Sequence, residues 1–496
     1  MSQSTNEKQD QQPTYVLGRI QERNFIGRIP RRTAIAAAPG IGWFVLMMLF
    51  NQVKLGVIGA LVFAVITAIT HFQDDGRSLV TIVRLRAEKA FRRLTGEDAG
   101  LTGPESRVAG GHYRMPGTLA TTEMIESTDT HGYNYGIIVN FEERTATVVF
   151  SAGLTGGVLL TNEERDRRTA MWGRCEALWA QRPEVLSVVC VSHTRPSTGA
   201  LAVREVGTLV AKKAHPLAVK LQREKATVLH KGVQELSWHA ALTISVSMSH
   251  RGDYKFVDQL NYSLPSLYNP LSFAGYDQPR PMSAAQITAR AHEMCVPNAE
   301  GDLEQIYVAG QHHGLGWRDA GPGVTAENGD HYFHDGARSR VWEMVEAPSA
   351  TFEEGHLEPL VAPHSRVTRK TVVTVYRPYS PGVGKKMSDT EHKDAMVGVN
   401  NGKGIRSAEA ELRLESTEAT RQALARGAKL GRRSMYVMAT AVEKEDLTAI
   451  EADIEDMGAE CQVRFRRMDQ MHDAGFQYCL GMGALPFAKD SFNRAT

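Results

Sequence analysis

Two uninterrupted apolar runs, Thr33–Phe50 and Leu55–His71, open the patterned part of the chain, and neither contains Asp, Glu, Lys or Arg. Only Asn51-Gln52-Val53-Lys54 separates them, which predicts a tight antiparallel helical hairpin. At about 17–18 residues each, the runs sit at the lower limit for crossing a hydrocarbon core of roughly 30 Å, and they are read as two membrane spans. A hairpin buried in a globular fold is the competing reading. A cleaved signal peptide fits less well, because some thirty residues precede the first run and the second follows at once. Pro39, Gly40 and Gly42 kink or narrow the first helix and point to packing against partner helices.

Basic residues flank the hairpin. Arg19, Arg23, Arg28, Arg31 and Arg32 precede it, Arg77, Arg84, Arg86, Lys89, Arg92 and Arg93 follow it, and the connection holds only Lys54. This asymmetry places both termini in the cytoplasm and makes the chain a multi-pass protein of the cell (inner) membrane. Residues 78–94 continue as an amphipathic helix with Leu79, Val83, Ala90, Phe91 and Leu94 on one face. Such a helix lies on an anionic leaflet or packs on the domain that follows.

Residues 95–118, rich in Gly, Pro and Thr, read as a linker. Beyond them Tyr135–Asn140 and Thr145–Phe150 flank a polar loop and predict a β-hairpin. Thr161-Asn162-Glu163-Glu164 fits a capping box opening a helix that Pro183 stops, and Val185–His193 is a strand. Helix is expected over Pro216–Glu235, strand over Trp238–Met248, a capped helix from Ser283, strands at Gln305–Ala309 and Thr371–Tyr376, and an irregular stretch over 311–366. Ser407–Arg426 is a strong helix, and Arg433–Val442, Glu443–Met457 and Glu460–Arg466 form a further β-α-β unit. No tandem repeat of fixed period is visible; whether the two α+β units echo one another stays open.

The expected fold class is an α+β cytosolic body of ferredoxin-like β-α-β units preceded by a two-helix transmembrane hairpin. The organisation reads as a cytosolic tail over 1–30, polar and disordered at Met1–Gln12, the hairpin over 31–72, and a basic juxtamembrane helix and linker over 73–118. A first α+β region covers 119–275 and a second covers 276–496.

The chain has 496 residues, 42% of them apolar, and a net charge of +1, which argues against a dedicated nucleic-acid binder. Cys175, Cys190, Cys295, Cys461 and Cys479 form no CxxC pair and suit a reducing compartment. A phosphate loop is missing: Gly384-Lys385 is followed by Lys386 with Tyr379 at the leading position, and Gly402-Lys403 has Val397 there and Gly404 after the lysine. Gly314-Leu315-Gly316 and Gly481-Met482-Gly483 lack the third glycine of a dinucleotide fingerprint, and His292-Glu293 does not extend to HExxH. His312, His313, His331 and His334 share one region, but no Cys or carboxylate spacing completes a metal site. Arg251-Gly252-Asp253 reads as a turn. The chain therefore reads as no enzyme, with no catalytic, cofactor-binding or metal-ligating residues and no cofactor.

Four patterns carry a family resemblance: Asp166-Arg167-Arg168-Thr169-Ala170-Met171-Trp172-Gly173 followed by His193-Thr194-Arg195-Pro196; Leu242–Met248; His334-Asp335-Gly336-Ala337-Arg338; and Cys461–Phe487. Their order over residues 30–490 resembles the actinobacterial PrgI-like membrane proteins of conjugative type IV secretion elements. That resemblance implies a scaffold subunit of a protein complex for conjugation. Its body is similar to the non-catalytic amino-terminal domain of the assembly ATPase, and it docks a separate ATPase and other inner-membrane subunits in the lipid bilayer. The alternatives are a membrane subunit of a type VII protein-export complex and a membrane-tethered enzyme with a site in loops 311–366.

Overall fold

A computed structural model describes residues 24–26, 29–50, 52–71, 73–74, 77–102, 106, 115–154, 156, 160–211, 213–228, 233–348, 355–400, 408–443 and 445–486. A two-stranded ribbon, β1 (Asn24–Ile26) with β2 (Ile29–Pro30), leads into α1 (Arg31–Leu49) and α2 (Val53–His71). Glycines let these helices meet. A Cβ on Gly40 would lie 2.6 Å from Phe63 Cβ, Gly59 receives the Trp43 ring, and Trp43 Nε1 donates to the Leu55 carbonyl at 3.3 Å. A second ribbon, β3 (Gln73–Asp74) with β4 (Arg77–Ser78), precedes α3 (Leu79–Thr95).

The hairpin is present, but the membrane assignment is corrected: among the described residues no helix is long and apolar enough to cross a membrane. Arg31 and Arg32 occupy the first positions of α1, and the helix ends at Leu49. Lys54 lies inside α2 and His71 ends it. The uncharged helical stretches that remain, about 16–17 residues at 1.5 Å each, reach about 25 Å against a core of roughly 30 Å. The transmembrane and multi-pass inner-membrane expectations fall with that length.

The rest of the chain runs through β5 (Ala99–Leu101), β6 (Thr122–Thr128), β7 (Asn134–Asn140), β8 (Thr145–Leu154), α4 (Asn162–Ala180) and β9 (Val185–Pro196). Then come α5 (Ala200–Leu209), α6 (Pro216–Val228), β10 (Gln234–Ser245), α7 (Phe256–Tyr268), α8 (Pro270–Phe273), β11 (Tyr276–Pro281), α9 (Ala284–Cys295) and α10 (Glu300–Val308). The last part holds β12 (Val324–Glu327), β13 (Tyr332–His334), β14 (Ala337–Glu346), α11 (Glu358–Val361), β15 (Lys370–Pro378), α12 (Pro381–Asn400) and α13 (Ala408–Ala425). It closes with β16 (Gly431–Val442), α14 (Leu447–Glu460), β17 (Arg464–Arg467) and α15 (His472–Leu480). Side-chain caps set two of the helix starts: Thr161 Oγ1 accepts the Glu164 N–H at 3.3 Å, and Ser283 with Gln286 forms a reciprocal capping box.

One antiparallel sheet of 13 strands joins β5 to β17, in the order β5-β12-β13-β14-β16-β15-β9-β10-β8-β7-β6, with β11 also on β8 and β17 also on β14. This order is a duplication. The first set pairs β7, β8, β10, β9 with β11 on β8; the second pairs β13, β14, β16, β15 with β17 on β14. Helical pairs α5–α6 and α12–α13 occupy the same connection in each set, and α7 and α14, like α9 and α15, hold the same places in sequence. The sets meet at β9 and β15, where Val191 faces Val373 and His193 faces Thr371. Strand alternation sends side chains to both faces. On one face α9 and α15 cover a core continuous across both sets, with Ile287, Met294, Phe476 and Leu480 packed with Val191 and Val373. On the other, each set has its own core: Cys175, Trp179, Leu264 and Phe150 in the first, Trp342, Val437, Ile450 and Ile454 in the second.

The fold-class expectation is thus corrected: in place of ferredoxin-like units behind a transmembrane hairpin there is a single 13-stranded antiparallel sheet with helices on both faces. The strand expected at Gln305–Ala309 lies mostly in α10, whose first turn carries Glu300 and Asp302 at the helix's positive end. The irregular stretch 311–366 contains β12, β13 and β14. The tail Met1–Gln12 lies outside the described residues.

Candidate functional site

The histidines of the 311–366 region do not converge. Among the described residues no group of three His, Cys, Asp or Glu side chains is placed to hold a metal ion. His334 is fully buried, and burial lowers its pKa to about 4. Its Nδ1 lies 2.6 Å from the Cys295 carbonyl, which can only accept, so that nitrogen carries the proton and Nε2 receives the Ser339 hydroxyl at 2.8 Å. His313 Nε2 reaches the Ala285 carbonyl at 3.0 Å, His312 stacks on His313, and His331 pairs with Asp330. Gly384-Lys385 lies within α12, and Gly402-Lys403 falls outside the described residues. Gly481 terminates α15 at φ +64°, packed against Val191 and His239. Arg251-Gly252-Asp253 is a surface turn: Gly252 has φ +88°, and Asp253 Oδ2 accepts the Ser249 N–H at 3.1 Å. All five cysteines are free thiols, and burial pushes Cys175 and Cys190 up to about 12.

The charged groups that do converge hold elements together. At the ends of β9 and β15, Arg195 meets Glu235 at 3.3 Å, Glu293 at 3.7 Å and Glu304 at 3.9 Å, while Arg369 meets Glu300 at 3.1 Å. Thr198 donates to Glu304, and Arg290 Nη1 donates to Ser237 Oγ at 3.0 Å. These contacts fix α9 and α10 to the seam between the two sets. On the second set Arg340 and Arg467 both reach Glu451, and Arg467 also holds Asp469. Lys370, 1% exposed, donates its ammonium to the Ala362 carbonyl at 2.9 Å, and burial draws its pKa down to about 8.

A third cluster attaches α3 to the body. Arg92 of α3 places Nη1 2.7 Å from Asp473 Oδ2 and Nη2 3.3 Å from the Gln470 carbonyl. Asp473 opens α15, and its backbone N–H donates to Glu327 Oε2 at 2.8 Å. Glu327 Oε1 accepts the Gly329 N–H at 2.9 Å, and the Lys89 ammonium lies against Gly329. Burial raises the Glu327 carboxyl to about 7, and the neighbouring Asp473 adds to the rise. Immediately after α3, β5 pairs with β12, and the Asp98 carbonyl accepts the Glu327 N–H at 2.9 Å. The basic side chains of α3 are thus partly spent on the body, while Val83, Phe91 and Leu94 stay exposed.

No known protein family matches the chain, and no curated protein matches it either.

These contacts fasten α3 to the sheet and to α15. Sequence reasoning placed the basic residues of α3 in view without their partners, because Arg92 and Asp473 lie 381 positions apart.

Proposed function

We propose that the chain is a non-catalytic platform subunit of a conjugative type IV secretion machine, onto which a separate assembly ATPase docks. The observation that carries this reading is the duplicated body. Two sets of the same strand order fuse into one sheet, and each carries a helical pair, α5–α6 or α12–α13, in the equivalent connection. A platform needs a braced core and exposed surfaces. The internal ion pairs of Arg195, Arg369 and Arg340 serve the first need, and the helical pairs, with Leu209 80% and Leu412 65% exposed, serve the second. The motif order shared with PrgI-like proteins, whose bodies are similar to the non-catalytic domain of the assembly ATPase, supplies the machine and the partner.

The test is co-purification. Tagged full-length chain, recovered under mild conditions from cells carrying a conjugative element, is expected to retain that element's ATPase, and deleting the gene is expected to abolish DNA transfer. Transfer at undiminished frequency, or recovery with no ATPase, would refute the proposal.

A further inference from the structure

An open trough of about 590 Å³ lies on the first set, between the β6–β7 turn, α8 and β11. That volume suits a small ligand or the end of a peptide. Tyr133, Phe273 and Pro279 supply its apolar wall, and the Phe273 side chain is 68% exposed. Arg280 is the only charged side chain lining it, with its guanidinium carbon 5.7 Å from the centre of the Tyr133 ring. Among the described residues neither the Tyr133 hydroxyl nor the Asn269 carboxamide, which also lines the trough, has a hydrogen-bond partner.

The backbone is bent where Arg280 enters the trough. Asp277 faces Gly153 and Arg280 faces Ser151, so β11 carries one residue more than β8 across this step. Gln278, inside the bulge, has φ +43°, a left-handed conformation that few residues with a side chain adopt, and its side-chain oxygen accepts from Arg280. A bulge re-aims the side chains beside it, and a strained one clusters with functional sites. The second set shows what Arg280 lacks. There β17 holds the place of β11, and Glu343 and Glu346 of β14 meet Arg466 at 2.8 Å and Arg464 at 3.0 Å. In the first set β8 offers Ser151 and Gly153, and among the described residues no carboxylate oxygen lies within 4.0 Å of an Arg280 nitrogen.

We propose that this trough binds a carboxylate carried on an aromatic group, with Arg280 pairing the carboxylate and Phe273 and Tyr133 covering the ring. A guanidinium matches the two oxygens of a carboxylate, and the Asn269 amide and Tyr133 hydroxyl are donors free to join it. One arginine balances one carboxylate, whereas the second charge of a phosphate monoester would be left unbalanced against the rings. The same chemistry occurs in a free aromatic acid and at the last residue of a peptide. The site stands independently of the secretion-machine reading.

The experiment titrates the purified full chain with phenylacetate, phenylacetamide and N-acetylphenylalanine, followed by ligand-observed NMR. Phenylacetate should bind about tenfold more tightly than its amide, and Arg280→Gln should bring the acid down to the affinity of the amide. Phe273→Ala should weaken acid and amide alike, because it removes only the ring contact. Arg204→Gln, at an exposed arginine on α5, should change nothing, and Arg280→Gln should keep the parent's thermal melt because the side chain is exposed. Tighter binding of N-acetylphenylalanine than of phenylacetate sustains the proposal and assigns the site to a peptide end, and the reverse order sustains it for a free acid. Three results would overturn it: no binding of either acid, equal binding of acid and amide, or a loss on Arg280→Gln no larger than on Arg204→Gln.

Discussion

Arg92 Nη1 lies 2.7 Å from Asp473 Oδ2, and through this contact a helix near the start of the chain grips the first turn of the last helix. Both side chains are about one-quarter to one-third exposed, so the pair is worth on the order of 1 kcal/mol and acts mainly as an orienting tie. Arg92→Ala and Asp473→Asn, measured singly and together, should show a coupling of about 1 kcal/mol or less. Amide exchange over residues 79–98 should rise in either mutant while the sheet core stays protected. Equal protection of α3 in mutant and parent would remove this tie from the account.

Glu327 makes that region sensitive to pH. Its folded pKa of about 7 exceeds the ordinary carboxyl value of 4.5, so the folded state favours the neutral acid. The corresponding stability is complete below pH 4.5 and is lost as pH rises through 7, by about 3 kcal/mol at the limit. Glu327→Gln should remove this slope: the mutant should match or fall below the parent at pH 5 and exceed it at pH 8, in urea unfolding at each pH. Parallel pH profiles for the two proteins would show that Glu327 is not the group responsible.

Lys370 has the opposite sense. Its folded pKa of about 8 lies below the unfolded 10.5, so its buried ammonium is a burden at neutral pH that lifts as pH rises from 8 to 10.5. Lys370→Met keeps the chain length and removes the charge. It should stabilise the protein by about 1–2 kcal/mol at pH 7, less whatever the orphaned Ala362 carbonyl costs, with the gain fading by pH 10. A loss of stability at every pH would make the Lys370–Ala362 hydrogen bond the larger effect.

Gly136 allows a close backbone crossing. A Cβ there would sit 2.9 Å from Ala284 Cα and 2.9 Å from Met124 Sδ, where α9 begins against β7. Backbone cannot move aside as a side-chain tip can. Gly136→Ala should therefore cost about 2 kcal/mol, read as a lower urea midpoint with unchanged slope. Gly252→Ala is the contrast: nothing lies within 4 Å, and its penalty is confined to the left-handed backbone at φ +88°.

Local pattern carried much of the element reading. The β7–β8 hairpin, the Thr161 and Ser283 caps, and the Ala-, Glu- and Leu-rich α13 all rest on interactions within a few residues, and the chain displays those openly. Strands β12, β13 and β14 did not show, because the first two are 4 and 3 residues long and β14 carries Arg338 and Arg340 in place of a clean alternation. Arg340 is tolerable inside a sheet only because Glu451 and Asp330 meet it, and the pairing with Glu451 spans more than a hundred positions. The duplication was hidden for a related reason. The counterpart of α4 between β14 and β15 is the 4-residue α11, so the two sets differ in length and share no fixed period. The apolar hairpin was plain, while its reach was not: the charges inside both helices trimmed the uncharged length below a membrane span.

The seam between β9 and β15 has a consequence for how the gene could be divided. Cut between the two sets, each product would carry a long strand whose hydrogen-bonding groups on one side have lost their partner, β9 in one and β15 in the other. Such a bare edge recruits whatever strand it meets, so each half made alone would pair with itself or precipitate, and the two expressed together would find one another. The chain is, in that sense, a dimer that has been tied into a single molecule, and the tie is what keeps its stickiest surface out of reach.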